Sequence, residues 1–122
     1  MKVKEIAFVG YPVTDLKRAR QFYEGTLGLK LTKLFGDEKT AWVEYDIGAN
    51  TLAIANGHPK WKPSPGGVTV ALEVEDFAAA VKKLKESGCT FYTEPAETPV
   101  CNLVIVADPD GNSIMIHKRG AD

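Results

Sequence analysis

Residues 12–31, PVTDLKRARQFYEGTLGLKL, and residues 70–88, VALEVEDFAAAVKKLKESG, decide the fold of this chain. Each stretch leads from a strand into a helix, and an aspartate stands at the start of that helix. Thr14 or Asp15 in the first stretch, and Asp76 in the second, can cap a helix by accepting hydrogen bonds from its first free N–H groups. Apolar residues then recur at three- and four-residue spacing, which is typical of a helix with one buried face. The chain therefore contains the same strand–helix pattern twice.

A glycine follows each predicted helix, and three strands follow each glycine. Gly28 and Gly88 stand where a helix ends in a left-handed turn. Alternating and β-branched residues between turn-forming residues predict the strands. The predicted strands cover residues 3–13, 29–35, 41–47 and 51–55 in the first half and 68–74, 89–93, 103–107 and 113–117 in the second. Both halves thus have the order β-α-β-β-β, and the repeat of about 60 residues is short for an independent domain.

We expect a single domain over residues 1–122, with module one at about 1–56 and module two at about 68–122. The linker, about residues 57–67, is GHPKWKPSPGG, and its prolines and glycines exclude a regular element. The alternative is a plain α+β sandwich whose internal symmetry is coincidental. The agreement of caps, glycines and turns in both halves favours the repeat.

Composition and charge exclude several classes of protein. The 122 residues are 44% hydrophobic and 25% charged, with a net charge of −1, which is ordinary for a globular domain. Interspersed charges provide no basic patch for nucleic acid, and no apolar stretch is long enough to span a membrane. The N-terminal stretch MKVKEIAFVGYPV is a strand rather than a signal peptide, because Gly10 and Pro12 interrupt it. Two cysteines, Cys89 and Cys101, are too few for a disulfide framework. This predicts reduced thiols in a cytoplasmic protein.

Three segments resemble the vicinal oxygen chelate superfamily, which includes glyoxalase I, bleomycin-resistance proteins and extradiol dioxygenases. Residues 12–31 resemble its strand–helix–FYxxxLGL opening, residues 70–88 resemble the opening of its second half, and residues 107–116, ADPDGNSIMI, are similar to its DPDG hairpin. The resemblance implies an α+β fold of two βαβββ modules, whose curved mixed sheets form open cups with the helices on the outer face. It implies no particular reaction, because one fold hosts many functions.

Metal-binding members of that superfamily take one ligand from the first strand and one from the fourth strand of each half. The corresponding positions here carry Phe8, Ala53, Thr69 and Met115. Divalent transition metals need imidazole, carboxylate or thiolate donors, which these side chains lack. We therefore expect no metal and no other cofactor. An alternative metal site would combine His117 and Glu73, which share a predicted sheet face, with His58 from the connecting loop.

Strand alternation sorts the side chains into two faces. Bulky apolar residues fall on one face and are expected to pack against the helices: Val9, Val68, Val70, Leu72, Leu52, Ile54, Ile114 and Ile116. Small and partly polar residues fall on the other face and are predicted to line a ligand cavity: Phe8, Gly10, Thr51, Ala53, Ala55, Thr69, Ala71, Glu73, Ser113, Met115 and His117. The alternative is that the other half or a partner subunit covers this face.

Three aromatic residues lie outside this predicted cavity lining. Trp61, in the connecting loop, is a candidate lid over the cavity, or else an anchor that packs the loop on its rim. Large rings such as this one are usually mostly buried, which favours the anchor. Trp42 and Tyr45 are interpreted as ordinary strand residues.

These patterns support three hypotheses, of which the first is a binding protein that sequesters or senses a partly apolar small molecule in its cup. The second is a metal-independent isomerase or lyase with His117 or Glu73 as general acid or base. The third, a metal-dependent glyoxalase or dioxygenase, is disfavoured by the missing donors. Because superfamily members commonly form dimers, the resemblance implies a homodimer. We expect a small-molecule ligand, and no nucleic-acid or membrane partner.

Overall fold

The computed structural model describes residues 1–120, and the chain forms two compact units, Met1–Pro63 and a second that begins at Ser64. The elements of the first unit are β1 (Val9–Pro12), α1 (Leu16–Arg20), a π-helical segment (Gln21–Thr26), β2 (Leu31–Gly36), β3 (Ala41–Ile47) and β4 (Asn50–Ala55). The four strands form one sheet in the order β1-β4-β3-β2. β1 is parallel to β4, and the other neighbours are antiparallel, so the sheet is mixed.

The second unit repeats this arrangement. Its elements are β5 (Val70–Glu73), α2 (Phe77–Ser87), β6 (Ala96–Glu97), β7 (Cys101–Ala107) and β8 (Ser113–Arg119). The sheet order is β5-β8-β7-β6, with β5 parallel to β8 and the other neighbours antiparallel. The two mixed four-stranded sheets with their helices are the α+β fold of two βαβββ modules that the sequence predicts.

Aromatic packing joins the helix of the first unit to its sheet. The rings of Tyr23 and Tyr45 are stacked at a centroid separation of 6.1 Å, and both side chains are fully buried. The ring centroid of Tyr11, on β1, lies 6.4 Å from that of Tyr23. The Tyr23 ring therefore packs against residues of both β1 and β3. Burying such large rings supplies much of the apolar contact that stabilises a small unit.

A network of hydrogen bonds shapes the turn before β8 in the second unit. Asp108 Oδ1 accepts from the N–H groups of Asp110 at 2.9 Å and Asn112 at 2.8 Å. The Asn112 amide donates to Asp108 Oδ2 at 2.8 Å, and both side chains are buried. Gly111 has φ of +90°, a backbone conformation that favours glycine. The DPDG segment is therefore a closed turn whose buried polar atoms are paired.

The helix boundaries predicted from the sequence are confirmed. Asp15 accepts from the Arg18 N–H at 3.1 Å, and Asp76 accepts from the Ala79 N–H at 3.0 Å. Gly88 has φ of +74° at the C-cap of α2. The first helix continues as a π-helical segment, which the sequence did not predict, before Gly28 takes φ of +73°.

The predicted first strand of each half is too long. Residues 1–8 form no regular element, and Ile6 is 82% exposed. Val68 was expected to pack against a helix, but it lies before β5 and is 85% exposed. The parallel neighbour limits each first strand. Of residues 3–13 only Val9–Pro12 pair with β4, and of residues 68–74 only Val70–Glu73 pair with β8. Phe8 and Thr69 therefore stand just before their strands rather than within them.

The predicted strand at 89–93 is also wrong. Phe91 forms only an isolated bridge to Val106, and the strand of this region is β6, at Ala96–Glu97, beyond the predicted strand. The N–H groups of Tyr92 and Thr93 both donate to the Ile105 carbonyl, at 2.8 and 3.2 Å. Two consecutive donors on one acceptor interrupt the regular ladder of a strand.

The two cysteines stand apart from each other in the part of the chain that the structure describes. Both thiols are free. Cys89 Sγ donates to the Leu84 carbonyl at 3.5 Å, and Thr98 Oγ1 lies 3.8 Å from Cys101 Sγ. Neither described helix has the length and apolar character that crossing a lipid bilayer requires.

Candidate functional site

The first unit has one sheet face covered by its helix and one open face. Strand register places Gly10, Ala53 and Glu44 side by side on the open face, because paired residues of neighbouring strands share a side. The same register brings Pro12, Ala55 and Trp42 together in the next row. Ala53 and Ala55 are buried, at 0% and 7% exposure, so they form a floor rather than an exposed wall.

Three aromatic rings gather on this floor, and we call them the aromatic cluster: Phe8, Trp42 and Trp61. Phe8 meets Trp42 edge to face at a centroid separation of 5.0 Å, and Trp42 stacks on Trp61 at 6.2 Å. Phe8 is 46% exposed and Trp61 36% exposed. The cluster therefore offers apolar ring surface that the described chain leaves uncovered.

A glycine on β1 makes room for the aromatic cluster. A Cβ at position 10 would lie 3.2 Å from Trp61 Cη2 and 3.3 Å from Cζ2, which is tighter than most real contacts of this kind. Gly10 thus lets the Trp61 ring approach the backbone, and a Trp61 N–H to His58 carbonyl bond at 3.2 Å fixes the start of the loop. This arrangement packs Trp61 against the sheet and leaves part of its ring accessible.

Polar groups border the aromatic cluster. Trp42 Nε1 donates to Glu44 Oε2 at 2.8 Å, so the carboxylate orients the indole ring. Farther along the same face, Thr51 Oγ1 donates to Asp46 Oδ1 at 2.9 Å. A ligand on this face would meet aromatic surface together with carboxylate acceptors.

The open face of the second unit carries a different set of side chains. Ala71, Met115 and Ile105 form one row, and Glu73, His117 and Leu103 form the next. His117 Nδ1 lies 2.6 Å from Glu73 Oε1, and the Arg119 N–H donates to Glu73 Oε2 at 2.6 Å. The structure therefore brings both candidate acid–base residues into direct contact.

Two hydrogen bonds hold Glu73 in its ionised form. The Arg119 N–H and then the His117 imidazole lower the pKa of the Glu73 carboxyl, because both stabilise its charge. With Nδ1 donating to this carboxylate, His117 would present Nε2 as a proton acceptor. The His117 side chain is 23% exposed, so small molecules can reach it. A carboxylate that orients an imidazole in this way is an arrangement that general acid–base catalysis uses.

Other predicted site residues have structural roles. The Ser113 hydroxyl donates to the Pro65 carbonyl at 2.8 Å, and Ser113 is buried. Asn112 Oδ1 accepts from the Ser64 N–H at 3.1 Å, which ties the same loop to the DPDG turn. Ser113 thus anchors the loop that precedes β5.

The four positions at which the superfamily holds a divalent ion do not fit such an ion here. Phe8, Ala53 and Met115 offer no hard or borderline donor, and the Thr69 hydroxyl alone is a poor ligand. Within residues 1–120, no three His, Cys, Asp or Glu side chains gather as a ligand set. The Lys60 N–H donates to His58 Nδ1 at 3.2 Å in the first unit, where His58 supports its own loop.

Sequence reasoning missed the contribution of the third strand in each unit. Trp42 and Glu44 alternate with the buried residues Val43 and Tyr45, so they belong on the open face. Trp42 is therefore more than the ordinary strand residue that the sequence suggested. Extending the alternation argument from the first and fourth strands to β3 would have found both residues, but the contact between Trp42 and Trp61 has no local signal.

Two mixed sheets, each pairing its first strand in parallel with its fourth and covered by one helix, define a glyoxalase-type α+β protein. A model of the Glyoxalase/Bleomycin resistance protein/Dioxygenase superfamily matches residues 5–116. The chain belongs to this superfamily.

Similar proteins span the same length. An uncharacterized protein of Mycolicibacterium smegmatis is 31% identical over 118 residues, which is 97% of each chain. The protein YetH of Bacillus subtilis is 27% identical over 120 residues, covering 95% of this chain and 99% of YetH.

Among solved structures, TnmS3, an antibiotic binding protein from Streptomyces sp. CB03234, has a TM-score of 0.79 and 24% identity. The alignment covers 98% of this chain and 99% of TnmS3. A glyoxalase/bleomycin resistance protein from the same organism has a TM-score of 0.73 and 27% identity, over 92% of this chain and 98% of that protein. These likenesses establish the fold.

The contact between Glu73 and His117 predicts the titration of Glu73. In a carboxyl ¹³C NMR titration we expect Glu73 to titrate below the ordinary glutamate value of about 4.3. His117→Ala should raise the pKa of Glu73 only partly toward the ordinary value, because the Arg119 N–H still donates to the carboxylate. Glu24 is the matched control, since Arg20 lowers its pKa independently of His117. An ordinary Glu73 pKa in the unaltered protein would contradict the contact.

Proposed function

We propose that this chain is a cytoplasmic small-molecule-binding protein that sequesters or senses a partly apolar ligand on the open face of its first unit. The aromatic cluster carries the proposal, because partly exposed rings over a floor of small residues are typical of a ligand site. The proposed ligand has a planar apolar part that stacks on Trp61 or Phe8, and a polar edge that meets the carboxylates nearby. Binding needs no metal ion, since the residues at the superfamily's metal positions lack donors.

Membership of the superfamily supports a binding role, because its description includes bleomycin resistance proteins. TnmS3, which has the same fold, is an antibiotic binding protein. For this chain the class of ligand is inferred from the aromatic cluster and not from that protein.

Removing the Trp61 ring should weaken ligand binding. We expect planar apolar compounds from a small-molecule library to bind the EDTA-treated protein saturably and to quench its fluorescence. The chain has only two tryptophans, and both lie in the aromatic cluster. Trp61→Ala should weaken binding about threefold to tenfold by isothermal titration calorimetry, which is the usual range for one aromatic contact.

The matched control is Trp61→Phe, which keeps an aromatic ring at the same position. This variant should retain most of the affinity that the alanine variant loses. Equal affinity in Trp61→Ala and the unaltered protein would show that the ligand lies elsewhere. Failure of a broad library to bind at all would overturn the proposal.

The second candidate function is a metal-independent isomerase or lyase that acts on a carbonyl compound. The observation that favours it is the Glu73–His117 contact, in which the carboxylate orients the imidazole and a backbone N–H orients the carboxylate. His117 Nε2 would remove a proton next to the substrate carbonyl and return it at another position. Leu103 and Met115 would provide the apolar surface beside the reacting atoms.

Catalysed exchange of α-carbonyl protons with D₂O tests this second function. If the function is correct, a carbonyl substrate should exchange faster with protein than without it, and His117→Asn should reduce the rate about a hundredfold or more. Glu73→Gln should reduce it less, because the imidazole remains. Unchanged exchange in His117→Asn would exclude His117 as the base, and Trp61→Phe serves as a control outside the second unit.

We also propose that the chain forms a homodimer. Several large apolar side chains are mostly exposed in the segments that precede or join the strands: Val3, Ile6, Val68 and Val100, at 78%, 82%, 85% and 75% exposure. Each of these side chains leaves apolar surface in water, and a second copy of the chain would cover it.

A charge in the N-terminal segment should disrupt the dimer. We expect Ile6→Asp to convert a dimer to a monomer in sedimentation velocity, because burying an unpaired carboxylate is costly. Lys4→Asp is the control, since it introduces the same carboxylate nearby without removing apolar surface. An unaltered protein that sediments as a monomer at all accessible concentrations would refute the dimer.

A further inference from the structure

The isomerase or lyase proposed above as the second candidate function needs a group that stabilises an enolate oxygen. Removal of a proton beside a carbonyl group moves negative charge onto the carbonyl oxygen. Enzymes accelerate such steps by holding hydrogen-bond donors or a cation where that charge develops. His117 is the candidate base, and Glu73, which orients it, is itself an anion. The reaction therefore requires a further donor on the open face of the second unit.

Arg119 is the cation that β8 places on this face. It follows His117 by two residues, so the two side chains leave the strand on the same side, with their Cβ atoms about 7 Å apart. Arg119 pairs with Cys101 of β7. His117 pairs with Leu103, two residues farther along the same strand. Arg119 is the only lysine or arginine among the strand residues of this face in the described chain.

The guanidinium of Arg119 is available to a ligand. Arg119 is exposed, and within residues 1–120 its side chain forms no ion pair with another side chain. Its backbone N–H, and not the guanidinium, donates to Glu73 Oε2, while Glu73 Oε1 contacts His117 Nδ1. Both carboxylate oxygens thus have other partners. A guanidinium carries five N–H donors, so it can hold an oxygen anion by hydrogen bonds and by charge.

The charge of the Arg119 side chain reaches the Glu73–His117 contact. The hydrogen bond from the Arg119 N–H lowers the pKa of the Glu73 carboxyl most, and the positive charge of the side chain lowers it further. Exposed charges act on each other only over about 10 Å at 0.1 M ionic strength. The guanidinium therefore lies near the place where a substrate of His117 would react.

We propose that the Arg119 guanidinium binds the enolate oxygen of a substrate whose carbonyl group lies beside His117, a role that rests on the isomerase or lyase proposed above. His117 Nε2 takes the proton from the carbon next to the carbonyl. The C–H electron pair forms the C=C bond of the enolate, and the C=O π pair moves to the oxygen that Arg119 holds. Return of the proton to the same or the conjugated carbon restores the carbonyl group and the neutral imidazole.

4-Nitrophenolate is a suitable probe, because its delocalised oxygen resembles that of an enolate. We titrate it into the ¹⁵N-labelled full chain above the pKa of the phenol, and we expect saturable shifts of the amides of Leu103, Met115 and His117. The neutral analogue 4-nitroanisole should bind about tenfold more weakly, since hydrogen bonds to a charged oxygen are stronger. Equal affinity for both probes would contradict the proposal.

Variants of neighbouring residues on β8 separate the two faces of the sheet. Arg119→Gln should abolish the preference for the phenolate. Lys118→Gln is the matched control, since it removes one positive charge from the opposite face of the same strand. Arg119→Gln keeps the backbone N–H that holds Glu73, so a ¹³C titration should still find the pKa of Glu73 below the ordinary glutamate value. A phenolate preference that survives in Arg119→Gln would overturn the assignment.

Exchange of α-carbonyl protons with D₂O distinguishes this role from the function on which it rests. Arg119→Ala should lower kcat about a hundredfold and leave KM nearly unchanged, as expected for a contact made in the transition state. Added methylguanidinium should restore part of the rate in Arg119→Ala and none in His117→Asn. Exchange that requires His117 but is unaltered in Arg119→Ala would overturn the role of Arg119 alone. No exchange in the unaltered protein would overturn both.

Discussion

The parallel pairing of the first strand with the fourth strand is the constraint on which each unit depends. Two parallel neighbours cannot be joined by a tight hairpin, so the chain must cross over one face of the sheet. The helix in that connection buries Val43, Tyr45 and Ile54 in the first unit and Val104 and Ile114 in the second. Among residues 1–120, no helix of the same unit covers the opposite face, which leaves it for a ligand, a partner or a loop.

The same scaffold supports two different chemical surfaces. In the first unit, Gly10 admits the ring of Trp61, and Glu44 orients Trp42, so the open face is aromatic. In the second unit, Glu73 and His117 occupy neighbouring strands in register, and the open face holds a carboxylate in contact with an imidazole. The helix caps are repeated in both halves, whereas the two open faces carry different side chains. The reason is that packing against the helix constrains one face only.

The residues at the superfamily's metal positions illustrate how little a fold constrains the chemistry of the protein that adopts it. Phe8 and Met115 place apolar atoms where other members place ligands, and the backbone around them still forms the same sheets. Ring stacking and carboxylate-oriented imidazole chemistry both work without a metal, because they use side-chain surface and hydrogen bonds alone.

The sequence by itself determined the features that depend on neighbours in the chain. Helix caps at Asp15 and Asp76, the left-handed glycines Gly28 and Gly88, and the alternation of β4 and β8 all follow from local hydrogen bonding and side-chain periodicity. Only the tertiary structure decided where β1 and β5 begin, that β6 replaces the strand expected at 89–93, and that Trp61 rests on Gly10. Strand ends and ring contacts depend on partners distant in sequence, and such partners leave no local pattern from which they can be predicted.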